Sequence, residues 1–333
     1  MKRINNILAI VSTVLGTALA MLLPASCDVY DDLDPCTRGL NLRFVYDYNM
    51  EFANAFPAKV DCYTLYVYDK KGSLVKTFTE SGEKLKDENY RLTIDLPLGD
   101  YQIVAYGGTA CEKASFAPVK KPEYGSKRSD LKMAMKQVDL VSEAQLHDFY
   151  YGAMDVTVKD EFYKDTTLNL MCNTNNIRIM LQHMNGTAIP MDKFSFSIED
   201  DNTLFDVENN LIPNGRMLYL PWAMGEATTR GVDENNDEFS AGYAEFSTSR
   251  LMTNAENRLT VRRLEDNEVV LSIPLSQYLM LLKSDRYANM GGQEFLDREG
   301  DWSMVFFLDS RYKWIDTQII INGWVVRLND LGL

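Results

Sequence analysis

The sequence lacks most of the motifs on which common enzyme classes depend. Its 333 residues include only two histidines, His147 and His183, and no nucleophile motif surrounds either one. It has no phosphate-binding loop, no dinucleotide fingerprint, no HExxH motif and no G-x-S-x-G motif. The acidic run at 233–237 lacks the glycine and the final glutamate of a calcium-binding loop. We therefore expect no enzymatic activity, no catalytic residue and no cofactor.

The N-terminus has the layout of an export signal. Lys2 and Arg3 precede a mostly apolar, uncharged stretch at 7–23, and two small residues precede Cys27. This order is typical of a secretory signal peptide. A membrane-spanning helix is the alternative, but the stretch is close to the lower length limit for a span and polar residues dilute it. No basic cluster follows it, so we assign 1–26 to a signal peptide.

The cysteine that ends this segment resembles the lipidation site of bacterial lipoproteins. In those proteins the thiol takes a diacylglycerol and the chain is cut just before the cysteine. Pro24 stands where such sites favour leucine, so ordinary cleavage that leaves Cys27 as a plain thiol is the alternative. Lipidation is favoured because it accounts for an odd fifth cysteine in an exported chain. We treat 27–38 as a lipidated acidic tether.

The acidic residues also indicate where the protein resides. The tether sequence at 28–35 is DVYDDLDP, which lacks the apolar content to fold alone and resembles the surface-export signal of Bacteroidota lipoproteins. Without residues 1–26 the chain keeps 32 basic and 48 acidic residues, a net charge of −16. Such a chain is repelled by nucleic acid and by anionic membranes. We expect a lipid-anchored outer-membrane protein, exposed at the cell surface.

The remaining cysteines are few and widely spaced. If Cys27 is lipidated, four are left: Cys36, Cys62, Cys111 and Cys172. Their spacing along the chain is not that of paired zinc ligands, so we expect no metal site. An even set in an oxidising compartment permits disulfides, and four cysteines allow three pairings. Buried free thiols are the alternative.

Alternation of apolar and polar residues with a period of two is the dominant pattern. At 40–48 (LNLRFVYDY) the even positions are apolar or aromatic and the odd positions are mainly polar. This pattern predicts a half-buried strand. Similar short runs, separated by turn signals, continue to 328, which predicts an all-β protein with two tandem β-sandwiches. We place the N-terminal sandwich domain at 39–165 and the C-terminal one at 166–333.

Two segments predict short helices, and two predict loops. Ser142 and Gln145 form a capping box, which predicts a short helix over 142–152 that would carry His147. A leading proline predicts a second helix over 274–282. The polar composition of two segments predicts mobile surface loops. These loop segments are 117–135 and 225–240.

The four tryptophans permit a binding function of a different kind. Trp222, Trp302, Trp314 and Trp324 could stack on sugar rings, as on the face of a lectin. Core packing is favoured instead, because tryptophan buries a large area and two of the four lie within strand patterns.

Five stretches, taken in order, resemble the FimB-type fimbrial anchor family of Bacteroidales. The resemblance covers essentially the whole mature chain. Cys111, Cys172 and the two polar loops are less familiar, so no property of the family is transferred to them. The stretches are 39–72 (GLNLRFVYDYNMEFANAFPAKVDCYTLYVYDKKG), 96–108 (LPLGDYQIVAYGG), 171–182 (MCNTNNIRIMLQ), 273–281 (IPLSQYLML) and 319–327 (IIINGWVVR).

The resemblance implies a lipoprotein at the base of a type V pilus, with two transthyretin-like domains. It matches Cys27 to the lipid-bearing position, and it matches Cys36 and Cys62 to the cysteines of the family. We therefore expect a Cys36–Cys62 disulfide. The implied partners are stalk (pilin) subunits, which polymerise by donor-strand exchange, and the outer membrane. No nucleic acid and no small-molecule substrate are expected.

Three functions thus compete at the level of sequence. The first is a structural protein that anchors and helps assemble a fimbria, binds stalk subunits by strand addition and supports cell adhesion. The second is a surface lipoprotein that captures glycan through exposed aromatics. A secreted hydrolase is the third and is the least favoured, because no active-site motif supports it.

Overall fold

The computed structural model describes residues 38–327, with gaps at 138, 160–161, 184, 188, 231–237, 284–286 and 322–323. For 228–230, 238–239, 316–321 and 324–327 only the backbone is described. Residues 1–37, which contain Cys27, Cys36 and the predicted signal peptide and tether, lie outside the described residues. Strands and helices are numbered below in chain order.

Two sheets enclose the first core. Strand β1 (Gly39–Val45) is the central strand of a three-stranded sheet, parallel to β10 (Tyr163–Asn169) and antiparallel to β4 (Leu92–Asp95). A five-stranded sheet, in the order β11-β9-β5-β2-β3, covers the same core. Its strands are β2 (Cys62–Asp69), β3 (Leu74–Ser81), β5 (Gly99–Gly107), β9 (Tyr150–Val158) and β11 (Met171–Cys172).

The alternation of apolar and polar residues in the sequence matches the alternation of buried and less buried side chains in this sandwich. Leu40 and Leu42 are fully buried and Phe44 is 2% exposed, and the same core contains Leu65 of β2 and Ile103 of β5. Because alternate side chains of a strand point to opposite faces, one face of β1 is directed at the five-stranded sheet. The predicted strand at the start of the mature chain is confirmed.

Three further sheets enclose a second core. The larger two are six-stranded, in the order β16-β17-β12-β20-β21-β22, and five-stranded, in the order β19-β18-β13-β15-β8; the third has the order β14-β7-β6. Their strands are β6 (Phe116–Pro118), β7 (Met133–Met135), β8 (Val141–Ser142), β12 (Thr174–His183), β13 (Phe194–Asp200), β14 (Leu204–Phe205), β15 (Met217–Tyr219), β16 (Ala223–Arg230), β17 (Glu238–Ser249), β18 (Arg258–Arg263), β19 (Val269–Pro274), β20 (Asp301–Leu308), β21 (Trp314–Ile321) and β22 (Trp324–Arg327).

The central strands of the five-stranded sheet of the first sandwich, β2 and β5, are buried on both faces. Tyr66, Tyr68, Val104 and Tyr106 lie on the face opposite to the first core, and they belong to the second core. The rings of Tyr106 and Phe149 stack with their centroids 5.7 Å apart. The chain is therefore all-β, as predicted, with tandem sandwiches that share a continuous apolar layer.

The predicted domain boundary at 165/166 falls inside β10. That strand pairs with β1 over its whole length, so it belongs to the first sandwich. The segment from β6 to β8 precedes β10 in the chain, yet β7 pairs with β14 and β8 pairs with β15 of the second set of sheets. The two sandwiches are therefore interleaved in sequence.

Helices are short throughout the described part of the chain. They are α1 (Phe56–Lys59), α2 (Leu275–Met280) and α3 (Gly292–Arg298). Helix α2 confirms the prediction made for 274–282. Among the described residues no helix is long and apolar enough to span a membrane.

The helix predicted over 142–152 is wrong. Val141 and Ser142 are in β8, and β9 begins at Tyr150. An extended chain buries Phe149 completely and leaves Tyr150 only 1% exposed, with Phe149 in the second core and Tyr150 in the first. Burial of two large rings on opposite sides outweighs a local capping preference.

The two predicted loops are also largely ordered. In the segment 117–135, Leu131, Met133 and Met135 are no more than 4% exposed, and β6 and β7 pair with each other. Three apolar residues at a spacing of two hold this otherwise polar segment to the second core. In the segment 225–240, β16 and β17 pair as an antiparallel hairpin up to Arg230 and Glu238, and 231–237 lie outside the described residues.

Candidate functional site: the open sheet edges

Strand β1, which follows the predicted tether in the sequence, is paired on both sides over its first four residues. Gly39 pairs with Asp95 on one side and with Tyr163 on the other. A Cβ atom at Gly39 would lie 1.8 Å from the carbonyl oxygen of Ile94, so only glycine permits this close approach. Because four residues of β1 are paired on both sides and the other three on one side, β1 offers no long free edge for strand addition.

Strand addition requires an edge strand whose backbone groups are free on one side. In the described part of the chain, most of the longer edge strands carry charged residues, which oppose pairing with another chain. These strands are β3 with Lys76 and Glu80, β4 with Asp95, β10 with Lys164 and Asp165, and β16 with Glu226 and Arg230.

Strand β19 is the exception among these edges. Its sequence, VVLSIP, contains no charged residue. Leu271 and Ile273 are directed into the second core, whereas Val269 is 43% exposed and Ser272 is exposed. It pairs with β18 on one side, and Pro274 ends it before α2 begins. Although the pairing with β18 shifts in register beside Val270, this uncharged edge is the most favourable template for strand addition that the described edges offer.

The expected Cys36–Cys62 disulfide is corrected by the structure. Cys62, the first residue of β2, is bonded to Cys111 in the loop after β5, with their Cα atoms 5.9 Å apart. Strand pairing is the reason, because β2 and β5 are neighbours and Tyr63 pairs with Gly107. Cys172 is a free thiol, and Cys36 lies outside the described residues.

Polar groups surround this disulfide. The imidazole Nε2 of His147 lies 3.0 Å from Oδ1 of Asp61 and 3.4 Å from Sγ of Cys111. Lys113 pairs with the other oxygen of Asp61 at 3.0 Å. Burial raises the pKa of the Asp61 carboxyl, but the hydrogen bonds and positive charges of Lys113 and His147 outweigh burial and lower it. Asp61 and Lys113 have no sequence motif, because only the fold brings them to His147.

The two histidines are separate in space as well as in sequence. His183 is 9% exposed at the end of β12, and its Nδ1 lies 3.3 Å from the carbonyl oxygen of Leu308. His147 lies in the loop before β9 and not on a helix. The Oγ atom of Ser115 accepts a hydrogen bond from the backbone N–H of His147 at 2.7 Å.

The tryptophans do not share one environment. Trp302 is 2% exposed in the second core, and its Nε1 donates a hydrogen bond to Asn175 Oδ1 at 3.1 Å. Trp222 is half-buried, and Trp314 is 38% exposed and packs edge-on against Phe306. The side chain of Trp324 lies outside the described residues.

A cationic side chain links the two sandwiches. The Arg298 guanidinium, at the end of α3, lies 4.0 Å from the ring centroid of Tyr48 and 4.8 Å from that of Phe52. It also donates hydrogen bonds to the carbonyl oxygens of Asp47 and Asn49. These contacts of Arg298 therefore hold the loop after β1 against helix α3.

Comparison with known proteins identifies the family. The family model of the fimbrillin-A associated anchor proteins Mfa1 and Mfa2 matches residues 33–330. The chain belongs to this family. Fimbrillin-A associated anchor proteins are structural components of fimbriae, so membership associates the chain with the fimbriae of the cell surface. No curated protein sequence matches the chain.

Solved structures share the fold of this chain. A candidate adhesin from Bacteroides thetaiotaomicron is 49% identical, with a TM-score of 0.83 over 90% of this chain and 100% of its own. A candidate polysaccharide-binding protein from the same species is 30% identical, with a TM-score of 0.75 over 88% of this chain and 98% of its own. The fimbrial anchor protein Mfa2 from Porphyromonas gingivalis shares the fold, with 18% identity and a TM-score of 0.62 over 88% and 99% of the two chains.

Proposed function

We propose that this protein anchors a fimbria to the outer membrane through a lipid on Cys27 and binds the stalk by strand addition, in support of cell adhesion. The observation that carries this proposal is the family match over 33–330, together with a leader that ends at a cysteine. The tether leads directly into β1, so an attached lipid would hold the centre of a sheet. We propose no catalytic step.

On the stalk side, we place the docking strand at β19. An incoming strand would gain main-chain hydrogen bonds along the free edge of β19, and side chains at alternate positions would supply selectivity. The exposed Val269 offers an apolar contact beside that edge. No other edge considered above combines six residues with the absence of charge.

The lipid anchor is tested by cell fractionation. We expect Cys27→Ala to leave the outer-membrane fraction after a high-salt wash, because its acyl chains would be the only stable attachment. Cys172→Ala is the matched control, since it removes a thiol from the folded part, and it should stay in the membrane. Retention of Cys27→Ala in the washed membrane would contradict the lipid anchor.

The stalk interaction is tested by gentle detergent extraction, pull-down and mass spectrometry. One pilin-like subunit should be recovered in stoichiometric amount. Val269→Lys combined with Ser272→Lys places charges on the β19 edge, and we expect at least about 10-fold less of the subunit. Thr79→Lys places a charge at an exposed position of β3 and is the control. Equal recovery with both variants would exclude β19, and recovery of the anchor alone would exclude the anchor function.

Glycan capture is the second candidate function. It is supported by the 30% identity to a candidate polysaccharide-binding protein and by the partial exposure of Trp314. Titration of the purified protein with soluble polysaccharides, followed by tryptophan fluorescence, tests it. A saturable change that Trp314→Ala abolishes would support glycan binding. No change with any polysaccharide, together with recovery of a pilin, would leave the anchor function alone.

A further inference from the structure

Four potential metal ligands meet at the disulfide of the first sandwich. The atoms are Oδ1 of Asp61, Nε2 of His147 and the sulfurs of Cys62 and Cys111, and all four lie within 4.8 Å of one another. They come from three separate places in the chain: the start of β2, the loop after β5 and the loop before β9. The pairing of β2 with β5 fixes the positions of the first two segments. The backbone N–H of His147 donates a hydrogen bond to Ser115 Oγ at 2.7 Å, which fixes the loop before β9.

The separations are close enough for a tetrahedral zinc site to form after small side-chain movements. With zinc–ligand bonds of about 2.0–2.3 Å, two ligand atoms of such a site are about 3.3–3.8 Å apart. Here the distance from His147 Nε2 to Cys111 Sγ is 3.4 Å. The two distances from Asp61 Oδ1, to His147 Nε2 and to Cys111 Sγ, are 3.0 and 3.1 Å. The separation that must lengthen most is that between the two sulfurs, which are bonded in this structure.

We propose that reduction of the Cys62–Cys111 disulfide by a low-molecular-weight thiol creates a binding site for one zinc ion. Two molecules of that thiol give up two electrons and two protons and become a disulfide, while Cys62 and Cys111 become thiols. Zinc then displaces one proton from each thiol and is bound by both sulfurs, by His147 Nε2 and by Asp61 Oδ1. The imidazole proton resides on Nδ1 in that state.

Charge and access both favour zinc at this position. Two thiolates and one carboxylate around a divalent cation leave one net negative charge, and Lys113, 3.0 Å from the other oxygen of Asp61, balances it. A surface cavity of about 300 Å³, lined by Lys113, Gln145 and His147 among others, gives a path for the ion. The cysteine and histidine donors are those that zinc prefers in structural sites.

The spacing of these residues along the sequence gave no sign of the site. Paired zinc ligands usually stand two to four residues apart, whereas 49 positions separate Cys62 from Cys111. The zinc-bound state would keep the three segments together when the covalent bond is lost. A bound zinc ion would thus take over the cross-linking role of the disulfide in this part of the sandwich.

The test is zinc binding by the full-length protein in detergent, before and after reduction. Competition with a chromophoric chelator should show one tight site in the reduced protein and none in the oxidised protein. We expect His147→Ala to weaken binding by more than about 100-fold, because loss of groups that merely support a ligand already costs about 10–100-fold. Cobalt in place of zinc should give the thiolate charge-transfer and visible bands of a tetrahedral site.

Three controls make the outcome decisive. Each variant is first shown to be folded in its oxidised form by circular dichroism. Cys172→Ala should bind zinc like the wild type, because Cys172 is not among the four ligands. Zinc should raise the thermal midpoint of the reduced protein and leave that of the oxidised protein unchanged. Equal binding before and after reduction, equal binding by His147→Ala, or loss of binding in Cys172→Ala would overturn the proposal.

Discussion

Arg250 and Asp297 form a two-point ion pair in the interior of the second sandwich. Nε of Arg250 donates to Oδ1 of Asp297 at 2.8 Å, and Nη2 donates to Oδ2 at 2.7 Å. The arginine also donates to the carbonyl oxygen of Asn209, and Gln293 donates to the same carboxylate. The pair therefore joins the end of β17 to α3 with nearly all of its polar atoms satisfied.

Asp297→Asn should destabilise the protein by about 3–5 kcal/mol, because it leaves the Arg250 charge buried without a counter-ion. Chemical denaturation followed by circular dichroism measures this change in the free energy of unfolding. Lys86→Ala is the control, since it breaks the exposed pair with Glu83 and should change the free energy by less than about 1 kcal/mol. Similar losses in the two variants would show that the buried pair has no special role.

The disulfide assignment is directly measurable. Peptide mapping of the unreduced protein should yield one linked pair that contains Cys62 and Cys111. Cys111→Ser should lower the free energy of unfolding by about 4 kcal/mol, because the bond closes a loop of 49 residues in the unfolded chain. A linked peptide that contains Cys36 and Cys62 would contradict the structure and restore the pairing expected from sequence.

Glu299 should make stability increase as the pH falls. Burial raises the pKa of its carboxyl to about 7. Hydrogen bonds from the backbone N–H groups of Asp301 and Gly300 lower the pKa, but by less than burial raises it. Because the folded pKa exceeds the unfolded value of about 4.3, the folded state binds the proton more tightly. At pH 8 the buried Glu299 carboxylate is charged and lowers the free energy of unfolding. This loss of stability disappears progressively as the pH falls through 7 towards 5.

We therefore expect Glu299→Gln to be more stable than the wild type at pH 8, by up to about 3 kcal/mol. At pH 5 the difference between the two proteins should largely vanish. Denaturation curves at the two values measure it, and Glu83→Gln at an exposed position serves as the control. A difference that does not depend on pH would show that the charge of Glu299 is not the cause.

Cys172 should be inert towards alkylation in the folded protein. Burial, with the nearby charge of Asp148, raises the pKa of its thiol to about 12, although Thr174 hydrogen-bonds to it. At pH 8 only about one thiol in ten thousand would then be ionised, and the thiolate is the reactive form. Iodoacetamide labelling should leave this peptide unmodified until denaturant is added. Rapid labelling of the native protein would contradict the raised pKa of this thiol.

Period-two patterning was sufficient to predict the sandwich architecture. In β1 the alternation of Leu40, Leu42 and Phe44 with polar neighbours is the same in the sequence and in the core. The prediction was wrong where local signals competed with packing, as in the capping box of Ser142, where the chain is extended so that Phe149 can be buried. Composition also misled, because Leu131 and Met133 hold a largely polar segment to the core.

Contacts between distant residues could not be predicted. The partner of Cys62 is decided by the pairing of β2 with β5, which neither residue spacing nor the family resemblance specifies. Asp61, Lys113 and His147 likewise meet only because three segments converge at one end of the sheet. Arg298 reaches Tyr48 across 250 positions of sequence, and no local pattern indicates that contact.

The position of β1 has a mechanical consequence. If Cys27 carries the proposed lipid, tension on an attached fimbria would reach the folded part of the chain at Gly39. Seven residues of β1 pair with β10 and four with β4, so a pull along β1 would load the hydrogen bonds on both sides together and not one at a time. Arg298 would then pass the force from the loop after β1 to the second sandwich. Tension that enters at Gly39 would then be shared by both sandwiches.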